Sequence, residues 1–407
     1  MSAALNGGSR SASPVGAVAP DIFIDTGYSR DCRHGERACG DAVAFRRIRE
    51  EQRMLCVLAD GLGHGVKADI LALMTMTMAL KFMAADREIV HFSEVIMDAL
   101  PVCRTRGISY ATFTIVDCRA DGRTSLVEMG NPQFILMRGA EPQKPEGVET
   151  VSPKYRDRAM THYSFQTGIG DRVIVFSDGV TQAGLGSPGL PSGWGRGGVV
   201  KYVKSLLEAS PDISSQELSE RILREAVAHE PMLRPADDIS VACLLFRRPR
   251  RMLVFTGPPL DPSRDAECAR YFDEFNGVRI ICGGTSGEIV ARELRRRLSI
   301  EPGSVGGDLP PVAVMEGADL VTEGIFTLNR AAVYLEKGVE GKNDAAGRVV
   351  ELMRRNDVIE FLVGTKINQA HQDPNLPAEL ELRRNLIVRI GKLLRDRYMK
   401  EVTIRFV

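Results

Sequence analysis

Four short stretches of this 407-residue chain set an aspartate beside a glycine or a second acid at the edge of an apolar run. They are Gly40-Asp41, Asp60-Gly61-Leu62-Gly63-His64-Gly65, Ser177-Asp178-Gly179-Val180 and Asp237-Asp238-Ile239-Ser240. The neighbouring runs have the composition of buried strands: M-L-C-V-L-A before Asp60, R-V-I-V-F-S before Asp178, and I-S-V-A-C-L-L-F after Asp238. Carboxylates brought together from several strand ends are costly unless they are protonated or bound to a cation. Hard divalent ions such as Mg²⁺ and Mn²⁺ take oxygen ligands and keep several waters, so a few aspartates suffice to hold two of them. A glycine after the aspartate lets backbone groups approach with no side chain in the way. One Asp-Gly pair alone is usually a turn, so the information lies in four motifs in this order.

The elements that must position these motifs follow from periodicity. Residues 21–246 read as strands interrupted by two helical segments. Gly40-Asp41 opens the first predicted strand, residues 54–59 form the second, and residues 66–85, apolar on almost every side, predict a helix enclosed between layers. Strands follow at 110–116, 124–129 and 134–137, the last two separated by the turn signal Gly130-Asn131-Pro132. After the strand at 172–177 come helices at 199–209 and from Ser214 to 229, the latter with Glu217 placed for a capping box. Strands in runs with helices grouped between them predict an α+β layered architecture. Beyond the basic stretch Arg247-Arg248-Pro249-Arg250-Arg251 the pattern changes. Short strands at 252–256 and 278–282, each followed by a helical pattern (264–275 and 286–298), predict a smaller α/β domain. Further helices at 343–356 and 380–397 and a final strand at 401–407 complete it. The division expected is 1–20 a disordered tail, 21–250 the catalytic unit and 251–407 an accessory, regulatory domain.

The four motifs, read as Cys39-Gly40-Asp41, Ala59-Asp60-Gly61-Leu62-Gly63-His64-Gly65, Phe176-Ser177-Asp178-Gly179-Val180 and Ala236-Asp237-Asp238-Ile239-Ser240, resemble a known family. It is the PPM-type metal-dependent protein phosphatases, in the bacterial branch typified by stage II sporulation protein E. The resemblance covers a little over half of the chain and implies a β-sandwich flanked by helices. It implies Asp60 as the ligand shared by two Mn²⁺ or Mg²⁺ ions, with the Gly61 carbonyl and Asp41 (directly or through a water) on one ion. Asp178 and Asp237 would complete the other, and Asp60 and Asp178 are the catalytic residues. Asp238 is expected to support the ligands from behind. The implied activity is hydrolysis of phosphoserine or phosphothreonine on a bacterial regulatory protein, of the anti-sigma-factor-antagonist kind, by a water activated between the metals. Two other readings stand beside it: a partner-binding module with weak turnover, and a phosphatase for a small phosphorylated metabolite. His64 is either an acid near the metals or a loop residue that shapes its turn; animal-type members have a histidine where this chain has Leu62.

Composition excludes other classes. Lysine plus arginine (53) equals aspartate plus glutamate (53), so no global field favours nucleic acid or an acidic membrane. No apolar run reaches the ~18 residues of a membrane span without charged interruption. The eight cysteines are scattered and read as reduced thiols of a cytoplasmic protein. Cys32, His34 and Cys39 match no tetrahedral zinc spacing, and the methionines at 74, 76, 78 and 83 read as core packing. One more segment, Ile281-Cys282-Gly283-Gly284-Thr285-Ser286, ends a strand and opens a helix. It is either an anion or nucleotide-phosphate site or a tight turn, and it lacks both the full dinucleotide fingerprint and a P-loop lysine.

Overall fold

The computed structural model describes residues 22–85, 95–96, 98–99, 111–151, 159–301, 312–366 and 377–407; the predicted N-terminal tail lies outside them. Two antiparallel sheets form the first half. The six-stranded sheet runs β2 (Asp41–Ile48), β3 (Arg53–Gly61), β4 (Ala111–Arg119), β5 (Arg123–Met129), β9 (Ala159–Gln166), β8 (Gly147–Val151). The five-stranded sheet runs β1 (Phe23–Asp31), β11 (Ile239–Arg247), β10 (Asp171–Phe176), β6 (Ile135–Arg138), β7 (Glu141–Gln143). Their inner faces meet in one core that includes Ile24, Met54, Leu58, Phe134, Val173 and Leu244. The outer face of the six-stranded sheet packs under helix Val66–Ala84, and that of the five-stranded sheet under helices Gly195–Ala209 and Ser215–His229. The α+β sandwich is therefore four layers, helix, sheet, sheet, helix.

Several sequence expectations need correction. Gly40-Asp41 opens the second strand, because β1 precedes it. β1 lies at a sheet edge and, after Phe23 and Ile24, is mostly polar, so it carries no continuous apolar run. Helix Val66–Ala84 is covered on one side only. Met83 is buried and Met74, Met76 and Met78 pack against the core, as read from sequence, but Val66, Ile70 and Leu73 are exposed. The capping box at Ser214 is half formed. Its hydroxyl accepts from Glu217 N, while the Glu217 carboxylate pairs with Arg221 instead.

The second half is a seven-stranded sheet, ordered β14 (Leu298–Ile300), β15 (Ala313–Met315), β16 (Leu320–Thr322), β13 (Val278–Cys282), β12 (Arg251–Thr256), β17 (Val358–Val363), β18 (Glu401–Phe406). From β16 to β18 neighbouring strands are parallel. Helices cover both faces: Asp265–Glu274 and Gly284–Glu293 on one, Ile325–Lys337, Ala345–Arg355 and Pro377–Asp396 on the other. This is a doubly wound sheet in which the chain starts at β12, steps to β13, crosses to the edge at β14 and works back to β16, then passes to β17 and β18 on the other side. The helix predicted at 286–298 is Gly284–Glu293. It starts earlier, at the glycine pair, and residues 298–300 form β14 instead.

The hydrophobic clusters of the two halves share no residue. What joins them is charge. Asp357, fully buried at the start of β17, takes a bidentate pair from Arg247 at the end of β11 and accepts from Arg250 N. Lys400 Nζ lies 3.7 Å from it, and Arg47 of β2 reaches Glu401 at 3.4 Å.

Candidate metal centre

The register of the two sheets brings the sequence motifs to one end of the sandwich. Asp41, the first residue of β2, stands directly opposite Asp60, near the end of β3. Gly61 N donates to Gly40 O at 2.9 Å and fixes that end of the ladder. From the other sheet, β10 ends at Phe176 and the short helix Asp178–Gln182 begins two residues later, while Asp237 and Asp238 directly precede β11. Ser177 N donates to Ser240 O and Ser240 N to Ser177 Oγ, both at 3.0 Å, which fixes the two loops side by side. Asp238 then stitches the sheets together. Its Oδ1 accepts from Arg33 N and its Oδ2 from Gly40 N, each at 2.9 Å.

Two glycines of the motifs are required by close approach. A Cβ on Gly61 would lie 2.0 Å from the carbonyl oxygen of Ala68 in helix Val66–Ala84, and one on Gly179 would lie 2.1 Å from the carbonyl oxygen of Asp238. No rearrangement of a flexible side chain relieves a backbone clash of that size, so these positions admit only glycine.

The electrostatics mark the cluster as incomplete. Asp41 is 1% exposed, and neither carboxylate oxygen has a hydrogen-bond partner of good geometry, the Ser177 and Ser240 hydroxyls being its polar neighbours. Burial pushes its carboxyl up to about 7; the hydroxyls of Ser177 and Ser240 oppose the rise, and the charges of Asp238 and Asp178 add to it. Asp60 is pushed up to about 9, first by burial and then by Asp41, Asp178, Asp237 and Asp238. Burial also raises Asp178, with Asp237 adding, and raises Asp237. Gln182 Nε2 holds Asp178 Oδ2 at 2.7 Å. A divalent cation among these groups would reverse every one of these shifts, and an oxygen-only donor set suits Mg²⁺ or Mn²⁺. The residues present fit such ions in donor chemistry, while among the described residues no three of these carboxylates bring oxygens within 4.8 Å of one another.

All five residues expected from sequence to bind metal (Asp41, Asp60, Gly61, Asp178 and Asp237) therefore gather at this end of the sandwich. Sequence reasoning missed the support around them: Ser177, Ser240, Gln182 and the backbone N–H groups of Arg33 and Gly40. Of these, only Gln182, four residues after Asp178 on a helix, left a readable signal. His64 is exposed at the rim, its Nδ1 2.7 Å from Glu36 Oε1. Cys32 and Cys39 approach Asp238 closely enough for their ligating atoms to lie within 4.8 Å of one another, without His34. Both Asp238 oxygens are already engaged and burial pushes the Cys39 thiol well up, so these remain plain thiols.

Residues 50–247 match the family model of stage II sporulation protein E (SpoIIE). By this match the segment is similar to SpoIIE. The match starts after Asp41, which the fold returns to the centre through its pairing with Asp60. Among solved structures, the phosphatase domain of SpoIIE from Bacillus subtilis is 15% identical, covering 57% of this chain and 95% of that one, with a TM-score of 0.42. The RsbU and RsbW domains of Rv1364c from Mycobacterium tuberculosis are 19% identical, covering 63% and 68%, with a TM-score of 0.45. The catalytic domain of the serine threonine protein phosphatase PstP, in complex with two manganese ions, is 16% identical, covering 56% and 99%, with a TM-score of 0.37. No curated protein sequence matches the chain significantly. Among the described residues no helix is long and apolar enough to cross a membrane.

Proposed function

We propose that the SpoIIE-like domain is a metal-dependent serine/threonine protein phosphatase acting on a phosphorylated bacterial regulatory protein in the cytoplasm. The observation that carries this reading is Asp41, a buried carboxylate with neither oxygen in a hydrogen bond of good geometry, facing Asp60 across a ladder. Such a group is stable only when neutral or when faced by a cation. Asp60 would be shared by two Mn²⁺ or Mg²⁺ ions, Asp41 and the Gly61 carbonyl would serve one, and Asp178 and Asp237 the other. Asp238 is left out because its oxygens hold Arg33 N and Gly40 N. Bound divalent ions supply Lewis acidity toward phosphoryl oxygens and a water nucleophile at neutral pH. The chain's own residues orient and hold. Gln182 fixes Asp178, Asp238 fixes the loop that carries Asp41, and Glu36 takes His64 Nδ1 so that Nε2 is the nitrogen presented at the rim.

A protein substrate is favoured by the helix that follows the Asp60 motif. Its exposed Val66, Ile70 and Leu73 recur at helical spacing and form an apolar stripe beside the centre. A small metabolite has no use for such a surface. A substrate of the anti-sigma-factor-antagonist kind belongs to the same proposal, with residues 251–407 as an accessory, regulatory domain. The test is incubation with Mn²⁺ and a panel of phosphoserine and phosphothreonine peptides, phosphotyrosine peptides and small phosphate esters. Faster release from the serine and threonine peptides supports the reading. Preference for the small esters would make it a metabolite phosphatase, and no release from any of them would make it a binding module.

A further inference from the structure

The doubly wound sheet has its own candidate site, and nothing in the phosphatase reading uses it. In sheets of this kind the chain reverses its direction of winding between two neighbouring parallel strands, and a crevice opens at their carboxyl ends. Here those strands are β12 and β17. One strand further along the same carboxyl edge, at the ends of β17 and β18, lies a cavity of about 260 Å³, lined by Val363, Gly364, Thr365, Arg383, Arg384 and Phe406.

The surroundings are built around a guanidinium. Gly257, just after β12, has φ +77°, and a Cβ there would lie 2.7 Å from Arg383 Nη1 and 2.8 Å from Gly364 O. A Cβ on Gly364, just after β17, would lie 2.1 Å from Pro258 O. Gly257 thus leaves the room that Arg383 fills, and Gly364 allows the two strand ends to approach. Arg384 stands over the Phe406 ring at 5.3 Å and has no acidic partner among the described residues. Arg383 Nη1 itself donates to Gly364 O at 3.5 Å, and the Arg384 guanidinium at the mouth of the cavity offers a planar fork to a phosphate or carboxylate.

Gly257 also connects this cavity to the Gly283-Gly284-Thr285-Ser286 turn. A Cβ on Gly283 would lie 3.7 Å from Gly257 N and 3.3 Å from Ser286 Oγ. Ser286 is fully buried in the first turn of helix Gly284–Glu293, and its hydroxyl has no hydrogen-bond partner. An unsatisfied buried hydroxyl costs ~1–3 kcal/mol, which a polar ligand group beside it would remove. The two features border one residue, Gly257, while Ser286 itself is fully buried and outside the lining of the cavity.

We propose that this edge of the sheet binds a small phosphate ester, its charged group at Arg384 and beside Arg383 in the cavity at the ends of β17 and β18. The proposal is independent of the phosphatase reading. It is tested by isothermal titration of the full chain in excess chelator, so that the Asp60 centre contributes no metal-held phosphate. The probes are AMP, ribose 5-phosphate and inorganic pyrophosphate, which separate a nucleotide from a sugar phosphate and from a bare anion. At least one should bind with one molecule per chain. Its Kd should rise about tenfold or more in Arg384→Met and in Arg383→Met, where the apolar stem is kept and the charge removed. Asp60→Asn should leave Kd unchanged. If Arg383→Met does not fold by circular dichroism, the exposed Arg384→Met decides. Absence of saturable binding of all three probes up to about 10 mM, or equal Kd in Arg384→Met and the parent chain, would overturn the proposal.

Discussion

Asp238→Asn separates a positioning carboxylate from the metal ligands around it. In the parent chain the two oxygens of Asp238 accept from Arg33 N and Gly40 N at 2.9 Å, with the side chain 4% exposed. The amide offers one acceptor and turns a donor toward the second N–H. One charge-assisted hydrogen bond is lost and one buried N–H is left unpaired, at a cost of ~2–3 kcal/mol. Removing a negative charge from the cluster returns ~1 kcal/mol when no metal is bound, taking a water-accessible carboxylate pair as the guide. The net loss should therefore be larger with metal, ~2–3 kcal/mol, than in chelator, ~1–2 kcal/mol. The loss in chelator is what separates it from a metal ligand, since removal of a ligand leaves the metal-free protein unharmed or stabilised. Because Gly40 N is tethered beside Asp41, Mn²⁺ affinity should also fall ~10–100-fold. Thermal melts with Mn²⁺ and with chelator, together with Mn²⁺ titration calorimetry, read both effects. An unchanged melt and unchanged Mn²⁺ affinity would refute the positioning role.

Three further outcomes follow from the same geometry. Asp41 and Asp60 have carboxyls raised to about 7 and about 9, so the folded metal-free protein keeps protons that the unfolded chain releases near its ordinary value. Stability in chelator should be greatest in acid and decline as pH rises toward 7 and 9, by up to ~1.4 kcal/mol per pH unit for each titrating group; melts across pH should show a flatter decline in Asp60→Asn, and identical profiles would contradict the shift. Asp178→Asn should lower kcat at saturating Mn²⁺ by ~10²–10⁴ without lowering the melt in chelator; near-parent kcat would remove Asp178 from the centre. Asp357→Asn should cost up to ~3–5 kcal/mol in denaturant unfolding, because it leaves Arg247 with only Asp25, at 3.3 Å, and Lys400 without its buried counter-charge; a loss below ~1 kcal/mol would show that the charges joining the two halves contribute little.

The parts legible in sequence were those with local signals. Asp60 and Asp178 stood out because each ends or follows a strand with no polar interruption, and Ile239–Arg247 was readable for the same reason. What joins them was not legible. The facing of Asp41 and Asp60 is a matter of register, and the Asp238 bond to Gly40 N spans 198 residues. The helix Ile325–Lys337 escaped notice because its cap is the Glu323 carboxylate, bonded to Phe326 N, instead of a Ser, Thr or Asp start signal. Strand order in the second half was equally hidden. Two strand–helix units suggested an α/β domain, but which strands lie side by side is decided by packing on both faces.

The account stands on the claim that the carboxylates at one end of the sandwich hold divalent ions that the chain needs to hydrolyse a phosphoester. The most direct measurement is phosphate release from a phosphoserine peptide by the purified chain, in excess chelator and after restoring Mn²⁺ or Mg²⁺, alongside Asp60→Asn. The account predicts no release in chelator, recovery on adding either metal, and no recovery in the variant. Full release in excess chelator, or a parent-like rate in Asp60→Asn, would contradict it.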